Sequence, residues 1–293
     1  MRYFVGRGED RDLDDPARSA LRGRFVELSQ GVTHYELSGP DDGEVVVLTG
    51  GLTVPLFYWD GLVERLHGHG LRTLAFSAYG RGYSDRLASD YHETVFVRQL
   101  ADLLPALDVT DPHLVGTSMG ALVAMGYVAE GGGVKTLTLV GPAGLSSPPA
   151  NRWLFKSDLA AATLGRRAGR RLLENHLSHN VRDEASAAAL THMVRDSFRY
   201  RGSMYGLFST LQNFPLHRRS ELFRTVGRTG VATLLLWGDD DHVTPVSGLE
   251  EARTLLRPRE SHVIAECGHM APLERPNEVA ALIASFTTTQ QKA

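Results

Sequence analysis

Three side chains of this chain have the types that catalysis by a serine nucleophile requires. A serine hydroxyl is a weak nucleophile until a base removes its proton, and the base needs a carboxylate to hold its tautomer and stabilise its cation. The sequence offers Ser118 as the nucleophile, Asp241 as the carboxylate and His269 as the base. These residues predict acyl transfer through a Ser–His–Asp triad without a metal or a cofactor.

Ser118 is the centre of a Gly-x-Ser-x-Gly pattern formed with Gly116 and Gly120. The pattern alone is weak in a chain with 30 glycines, but an apolar strand precedes it and an apolar helix follows it. On such a turn the hydroxyl projects above the sheet, and small neighbours let the strand and the helix approach closely. We therefore interpret Ser118 as a nucleophile rather than an ordinary turn serine.

Two backbone amides are predicted to stabilise the oxyanion that forms when Ser118 attacks a carbonyl. The first is the amide of Met119, at the N-terminus of the helix that follows the serine, where the helix dipole favours negative charge. The second lies in the Gly-rich segment after the apolar run 45–48: the amide of Leu52, or that of Gly51 if the register differs by one. The simpler alternative for this segment is a turn without a catalytic role.

The carboxylate is chosen from three consecutive acids that follow the predicted strand 233–237. Asp241 is our choice, and Asp239 and Asp240 are its rivals. Asp239 is expected to bond the backbone of its own loop, a common role for aspartate in turns. The strand ending at Val140 offers no competing acid, because Gly141 follows it.

The base is chosen from 12 histidines. His269 follows the last predicted strand, and Gly268 leaves its loop free to turn the imidazole inward. His242 adjoins the acid in sequence, but adjacent side chains tend to point apart, and His262 lies within a strand. We therefore choose His269.

Two further features suggest other chemistry. His176 and His179 have a spacing that suits a metal ion, but no third ligand accompanies them and surface helix positions are favoured. Cys267 lies two residues from His269, either as a redox handle or, as we favour, as a small buried filler. With one cysteine the chain has no intramolecular disulfide.

The elements that must position these residues alternate between strands and helices. Such alternation predicts an α/β fold, a mostly parallel sheet with helices on both faces, and a ligand site beyond the carboxyl ends of the strands. The strands stop between residues 143 and 228, where helical patterns rich in Ala, Leu and Arg replace them. We predict a core made of residues 1–142 and 229–293, with residues 143–228 forming a helical cap over the site.

Taken together, these pieces resemble the α/β-hydrolase superfamily over nearly the whole chain, from about Phe25 to Phe286. The matching pieces are the loop Gly50–Pro55 with Trp59, the loop Tyr79–Asp85, the turn Gly116–Gly120, the segment Trp237–Asp241 with Pro245, and Gly268–His269. They are similar to capped carboxylesterases and monoacylglycerol-lipase-like members, and this resemblance implies ester hydrolysis.

Two positions depart from the family pattern. Gly50 stands where the family usually has histidine, and Ser77 stands where it usually has aspartate. Both family residues mainly brace the active-site loops, so the departures leave catalysis possible but leave the oxyanion geometry and the substrate class open. The serine nucleophile argues against haloalkane dehalogenases and epoxide hydrolases of this fold, which attack with aspartate.

The sequence thus favours a serine hydrolase that cleaves a carboxylic ester, lactone or thioester. A C–C bond hydrolase, or a lyase or cyclase using the same triad, is the alternative. A non-catalytic receptor is disfavoured, because a binder has no need of all three groups.

Charge and composition define the expected partners. The net charge of −3 gives no reason to expect nucleic-acid binding, so a small-molecule substrate is expected. The first residues lack the apolar run of a secretory signal, and no run approaches a membrane span; these features favour a cytoplasmic enzyme. The oligomeric state has no sequence signal here.

The charge is unevenly distributed along the chain. Residues 151–230 carry 14 Lys and Arg against 6 Asp and Glu, while the other residues carry 17 against 28. Solvated helix faces explain this pattern most simply. The alternatives are attraction of anionic substrates, or contact with an anionic membrane surface or a partner.

Overall fold

One central sheet organises the computed structural model of the protein, which describes residues 1–148, 155, 157–177, 180–182 and 184–291. The described residues form eight strands in the spatial order β1-β2-β4-β3-β5-β6-β7-β8. The strands are β1 (Arg24–Leu28), β2 (Gly31–Ser38), β3 (Val45–Thr49), β4 (Arg72–Phe76), β5 (His113–Thr117), β6 (Thr136–Val140), β7 (Thr233–Gly238) and β8 (Glu260–Ile264).

The sheet is parallel except at one edge. The hairpin partners β1 and β2 are antiparallel, and β2 pairs antiparallel with β4, whereas all pairs from β4 to β8 are parallel. The central strands β5, β6 and β7 are buried at every residue. Their continuous apolar runs suit strands that are covered on both faces.

Helices flank the sheet and follow most of its strands. The helices are α1 (Asp15–Ser19), α2 (Asp60–Gly68), α3 (Glu93–Ala106), α4 (Met119–Ala129), α5 (Asp158–Leu177), α6 (Glu184–Ser197), α7 (Ser203–Asn213), α8 (Ser220–Thr229), α9 (Leu249–Leu256), α10 (Ala271–Glu274) and α11 (Pro276–Gln291). One group pairs α2 with α11, and the other packs α3, α4, α8 and α9 in a row. The predicted α/β fold with a mostly parallel sheet is confirmed.

The helix after Ser118 shows why this fold needs an apolar sequence there. From Met119 to Val128 only Tyr127 is not fully buried in α4. A helix that is apolar around its whole circumference is stable only when it is enclosed. Here α4 packs between α3 and α8 and against β5. This packing holds the start of α4 in place, and with it the turn at Ser118.

The segment between β6 and β7 contains α5, α6, α7 and α8. Of these, α8 packs on α4 and α9, beside the sheet, whereas α5 contacts α6 and α7. We call α5, α6 and α7 the inserted helices. The N-terminal arm lies against them: Phe4 is buried, and Arg11 pairs with Tyr200 in an isolated β-bridge.

Candidate active site

The predicted site residues all follow the carboxyl ends of parallel strands. Ser118 follows β5, Asp241 follows β7 and His269 follows β8, while Leu52 follows β3. Because these ends lie along one edge of the sheet, the four residues converge although up to 217 positions separate them in sequence. Ser118, His269, Leu52 and Met119 line one cavity of about 180 Å³.

Ser118 adopts a backbone conformation that few residues other than glycine adopt. Its φ is 54° and its ψ is −119°, and its N–H donates to the carbonyl of Val140 at 3.1 Å. A non-glycine residue with positive φ is strained, and the surrounding structure must hold it there. At Gly116 on β5, a Cβ would overlap the backbone of Gly120 and Ala121 on α4. The strand and the helix therefore approach as closely as the sequence pattern predicts.

Asp241 and His269 form a buried hydrogen-bonded pair. Nδ1 of His269 lies 2.8 Å from Oδ2 of Asp241, and both side chains are almost fully inaccessible. Oδ1 of Asp241 accepts from the N–H groups of Val243 and Thr244 at 2.9 and 2.8 Å. This network assigns the proton to Nδ1 of His269 and leaves Nε2 as the acceptor nitrogen.

The rival carboxylates have other partners. Asp239 accepts from the N–H groups of Glu266 and Cys267, at 3.0 Å each, and these bonds hold the pKa of its carboxyl below the usual value. Asp240 lies 3.2 Å from Nε2 of His242, on the exposed surface. Asp239 thus braces a loop, but the prediction that it bonds the backbone of its own loop is wrong: its partners belong to the loop after β8, which lies beside it in the folded chain.

The remaining histidine and cysteine candidates show no arrangement for catalysis or metal binding among the described residues. His262 on β8 lies 3.2 Å from Glu260. Burial raises the pKa of the Cys267 thiol to about 12, so the thiol is neutral and suits a filler rather than a redox group. His176 lines the cavity, whereas His179 lies outside the described residues. No group of three or more His, Cys, Asp or Glu among the described residues is arranged to hold a metal ion.

Thr244 is a site residue that sequence reasoning missed. Its Oγ1 lies 2.8 Å from Oδ2 of Asp241, 3.1 Å from the carbonyl of Gly141 and 3.2 Å from Nδ1 of His269. The single hydroxyl proton can serve either the carboxylate or the carbonyl. The available signal was its position three residues after Asp241, which suits a turn closed by an aspartate side chain.

Ser118 Oγ makes no hydrogen bond in the described part of the chain, and Ser118 is half-buried at the cavity wall. The loop after β3 passes close to it: a Cβ at Gly51 would lie 3.9 Å from Oγ. Hydrogen bonds between a nucleophile and its base are often long without substrate and shorten when substrate binds. A free hydroxyl on the cavity that His269 also lines is compatible with that behaviour.

A buried arginine fixes the loop that carries Leu52. Arg81 is fully buried; it donates to the carbonyls of Leu52 at 2.7 Å and Tyr79 at 3.0 Å, and to Oγ1 of Thr210 on α7 at 2.9 Å. Burial lowers the pKa of its guanidinium to about 10, which still leaves it charged at neutral pH. The sequence pattern identified the Gly-flanked loop of Arg81, but it did not predict the bonds from Arg81 to Leu52 and Thr210.

The two departures from the family pattern have local explanations. Ser77 is fully buried, and its Oγ accepts from the N–H of Leu56 at 3.0 Å and lies 3.2 Å from Nδ1 of His34. A hydroxyl therefore braces the loop here. At Gly50, a Cβ would lie 3.2 Å from Cγ2 of Val54, so the position has little free space.

Comparison with known proteins places the chain in a family. A family model described as alpha/beta hydrolase fold matches residues 44–276. The chain belongs to the alpha/beta hydrolase family. Among the described residues, none of the helices combines the length and apolar character needed to cross a bilayer.

The relatives of this alpha/beta hydrolase include proteins with different activities. Monoacylglycerol lipase abhd6-B of Xenopus laevis is 24% identical over 268 residues, which cover 86% of this chain and 77% of that protein. Monoacylglycerol lipase abhd6-A of the same organism is 29% identical, but the chain spans only 55% of its length. The 2-hydroxymuconate semialdehyde hydrolase of Pseudomonas sp. (strain CF600) is 25% identical, over 73% of this chain and 76% of that protein.

Solved structures share the fold at lower identity. A thermophilic esterase from Thermogutta terrifontis superposes with a TM-score of 0.77 at 19% identity, covering 92% of this chain and 99% of the esterase. This likeness shows the fold, and the family model together with the relatives above indicates a hydrolase.

Proposed function

We propose that this hydrolase cleaves carboxylic esters through an acyl-enzyme intermediate on Ser118. The observation that supports this most strongly is the buried pair of Asp241 and His269, whose histidine lines the same cavity as the strained serine. A pair of this kind holds one imidazole tautomer and stabilises the imidazolium that forms when the serine proton is taken. Thioesters and lactones fit the same chemistry.

Each proposed step uses a group on this cavity. Oγ of Ser118 attacks the ester carbonyl while its proton moves to Nε2 of His269, and the amides of Met119 and Leu52 stabilise the oxyanion. The C–O bond to the alcohol then breaks, and the alcohol leaves with the proton from His269. Water, deprotonated by His269, attacks the acyl enzyme, and the acid leaves as Ser118 regains its proton.

The geometry favours an apolar acyl chain. A second cavity of about 410 Å³ adjoins the first and shares Leu52, Thr53, His176 and Leu211 with it. Its other walls come mainly from α5 and α7, within the cap that we predict at residues 143–228. They are the apolar residues Phe155, Leu164, Gly169, Leu172, Leu173, Leu207 and Phe208. We place the acyl chain of the substrate in this space.

A third cavity suits the alcohol portion. It has about 340 Å³, and it meets the first cavity at Ser146 and Thr244. Ser147, Ser247 and Glu251 give it hydroxyl and carboxylate groups, which can accept or donate hydrogen bonds to a small polar alcohol. We therefore propose esters that join an apolar acid to a compact polar alcohol.

Active-site labelling tests the nucleophile. A fluorophosphonate probe should label the wild-type protein at Ser118, as located by peptide mapping, and Ser118→Ala should lose both labelling and ester turnover while keeping its melting temperature. Ser247→Ala, at a serine in the third cavity, is the matched control and should still be labelled. Near-wild-type ester hydrolysis by Ser118→Ala would refute the acyl-enzyme mechanism.

A homologous series of p-nitrophenyl esters tests the acyl cavity. Each methylene buried in apolar surroundings contributes about 0.8 kcal/mol, so kcat/KM should rise up to about fourfold per carbon until the cavity is full. Activity that is flat from acetate to decanoate would remove the proposed preference for an apolar chain but leave the ester chemistry intact.

Hydrolysis of a C–C bond is the second candidate. The similarity to 2-hydroxymuconate semialdehyde hydrolase covers most of both chains and favours it specifically. The same serine, histidine and aspartate would act on 2-hydroxymuconate semialdehyde. Turnover of such a compound at least tenfold above the best ester, lost in Ser118→Ala, would make this the better description.

A further inference from the structure

The loop that carries His269 is held by contacts outside itself. Three consecutive N–H groups donate to acceptors elsewhere: Gly268 to Oε2 of Glu274 at 3.1 Å, His269 to the carbonyl of Asn180 at 3.1 Å, and Met270 to Oε1 of Glu274 at 3.1 Å. The carboxylate of Glu274 therefore binds the residues on both sides of His269.

The same carboxylate also bonds the connection between the inserted helices α5 and α6. Oε2 of Glu274 also accepts from the N–H of Arg182 at 2.9 Å, in the connection between α5 and α6. Glu274 is buried, with 9% of its surface exposed, and it makes no salt bridge to any described residue. A buried carboxylate without a cation is costly unless hydrogen bonds compensate for lost water, and here three backbone N–H groups do so.

The arrangement leaves little room for a side chain at position 268. Its φ lies outside the left-handed region, so the expectation that it provides conformational freedom does not explain it. A Cβ there would lie 3.0 Å from Oε1 of Glu274 and 3.3 Å from both the carbonyl of Asn180 and the N–H nitrogen of Arg182. Glycine therefore suits position 268, because a larger residue would have to displace these neighbours by a few tenths of an ångström.

We propose that Glu274 is a positioning residue that fixes the imidazole of His269 and couples it to the segment 180–182. The role as base rests on the proposed function, whereas the positioning itself does not. His269 must keep Nδ1 on Asp241 and direct Nε2 towards Ser118, and both directions follow from where its backbone lies. Since Asn180 and Arg182 belong to the connection between inserted helices, a shift of those helices displaces the loop of the base.

The test compares Glu274→Gln with Glu278→Gln. Glutamine keeps the size of Glu274 but has one acceptor oxygen, so at most two of the three bonds survive and an NH₂ group faces a backbone N–H. Glu278 is exposed on α11 four residues away and controls for the lost charge. p-Nitrophenyl acetate is the substrate, because its short acyl group does not depend on the apolar cavity.

We expect Glu274→Gln to lower kcat about tenfold to a hundredfold, the scale set by an ångström-sized displacement of a reacting group, with KM changed less than twofold. Glu278→Gln should keep wild-type kcat. In ¹⁵N-histidine spectra of the whole protein, the Nδ1–H resonance of His269 should shift or broaden in Glu274→Gln but not in Glu278→Gln.

Two results would overturn the proposal. One is wild-type kcat in Glu274→Gln; the other is a fall in kcat that follows the loss of folded protein while the Nδ1–H resonance of the folded fraction stays unchanged. If the wild-type protein hydrolyses no ester, the proposed function fails, and the resonance alone still decides whether Glu274 positions His269.

Discussion

Two sides of the cavity beside Ser118 are stabilised in different ways. We call the loops after the parallel strands its floor and the helices α5 and α7 its roof. The floor consists of the loops after the parallel strands, and its polar atoms have specific partners: Asp241 alone has contacts with Val243, Thr244 and His269. The roof belongs to the cap that we predict at residues 143–228, and its residues around the larger cavity are mostly apolar. Hydrogen bonds are directional and dispersion contacts are not.

This difference separates chemistry from selectivity. A small change in the floor misdirects a proton or an oxyanion, and its cost appears in kcat. A change in the roof alters volume and apolar area, so it should mainly change which acyl chain is accepted. Glu274, Asn180 and Arg81 connect the two regions. Glu274 and Asn180 do so through the connection between α5 and α6, and Arg81 does so by bonding both the carbonyl of Leu52 and the hydroxyl of Thr210 on α7.

The largest effect should come from the carboxylate of the floor. Asp241→Asn should lower kcat by about 1,000- to 10,000-fold, because an amide favours the wrong tautomer of His269. Asp239→Asn is the matched control: it loses bonds to the backbone of the loop at 266–267, so it should lower the melting temperature, and it should lower kcat far less than Asp241→Asn does. A larger loss of kcat in Asp239→Asn at equal stability would identify Asp239 as the triad acid.

A smaller effect is expected at the hydroxyl beside this pair. Thr244→Val keeps the shape of Thr244 but removes the donor to Asp241, and hydrogen bonds to charged groups contribute about 1.5–3 kcal/mol. We expect kcat to fall about tenfold in steady-state ester assays. Thr244→Ser retains the hydroxyl and should stay within threefold of wild type; equal losses in both variants would indicate a packing role.

The sequence and the structure agree best where local pattern determines position. Continuous apolar runs and the glycines around Ser118 were enough to predict the sheet, the turn at Ser118 and the loops of Asp241 and His269. Each of these patterns is contained in a stretch of about ten residues of the sequence. Glu274 and Arg81 could not be assigned in this way. Glu274 bonds the N–H of Arg182, 92 residues away, and Arg81 bonds the hydroxyl of Thr210, 129 residues away; both contacts exist only after the inserted helices have packed.

A substitution in the roof should change the preference for acyl-chain length without changing the catalytic steps. Leu211 lines both the small cavity and the larger apolar one, so Leu211→Phe should narrow the passage between them. We expect kcat/KM for p-nitrophenyl octanoate to fall at least tenfold while the value for the acetate stays within twofold. Leu159→Phe, on the exposed face of α5 outside both cavities, should leave both values unchanged. Equal losses for the two esters would mean that Leu211 supports the floor instead.

The smallest effect should be that of salt, although residues 151–230 are strongly basic. Several of these cations are already neutralised: Arg199 pairs with Asp10 at 2.7 Å, and Arg219 pairs with Glu93 at 2.9 Å. Paired charges produce little field at a distance, so capture of an anionic ester should depend only weakly on screening. We expect kcat/KM for a carboxylate-bearing ester to fall less than about twofold between low salt and about 0.5 M salt, where the Debye length is a few ångströms. A neutral ester of equal size is the control. A tenfold fall confined to the anionic ester would show that the roof attracts its substrate by charge as well as accommodating it by shape.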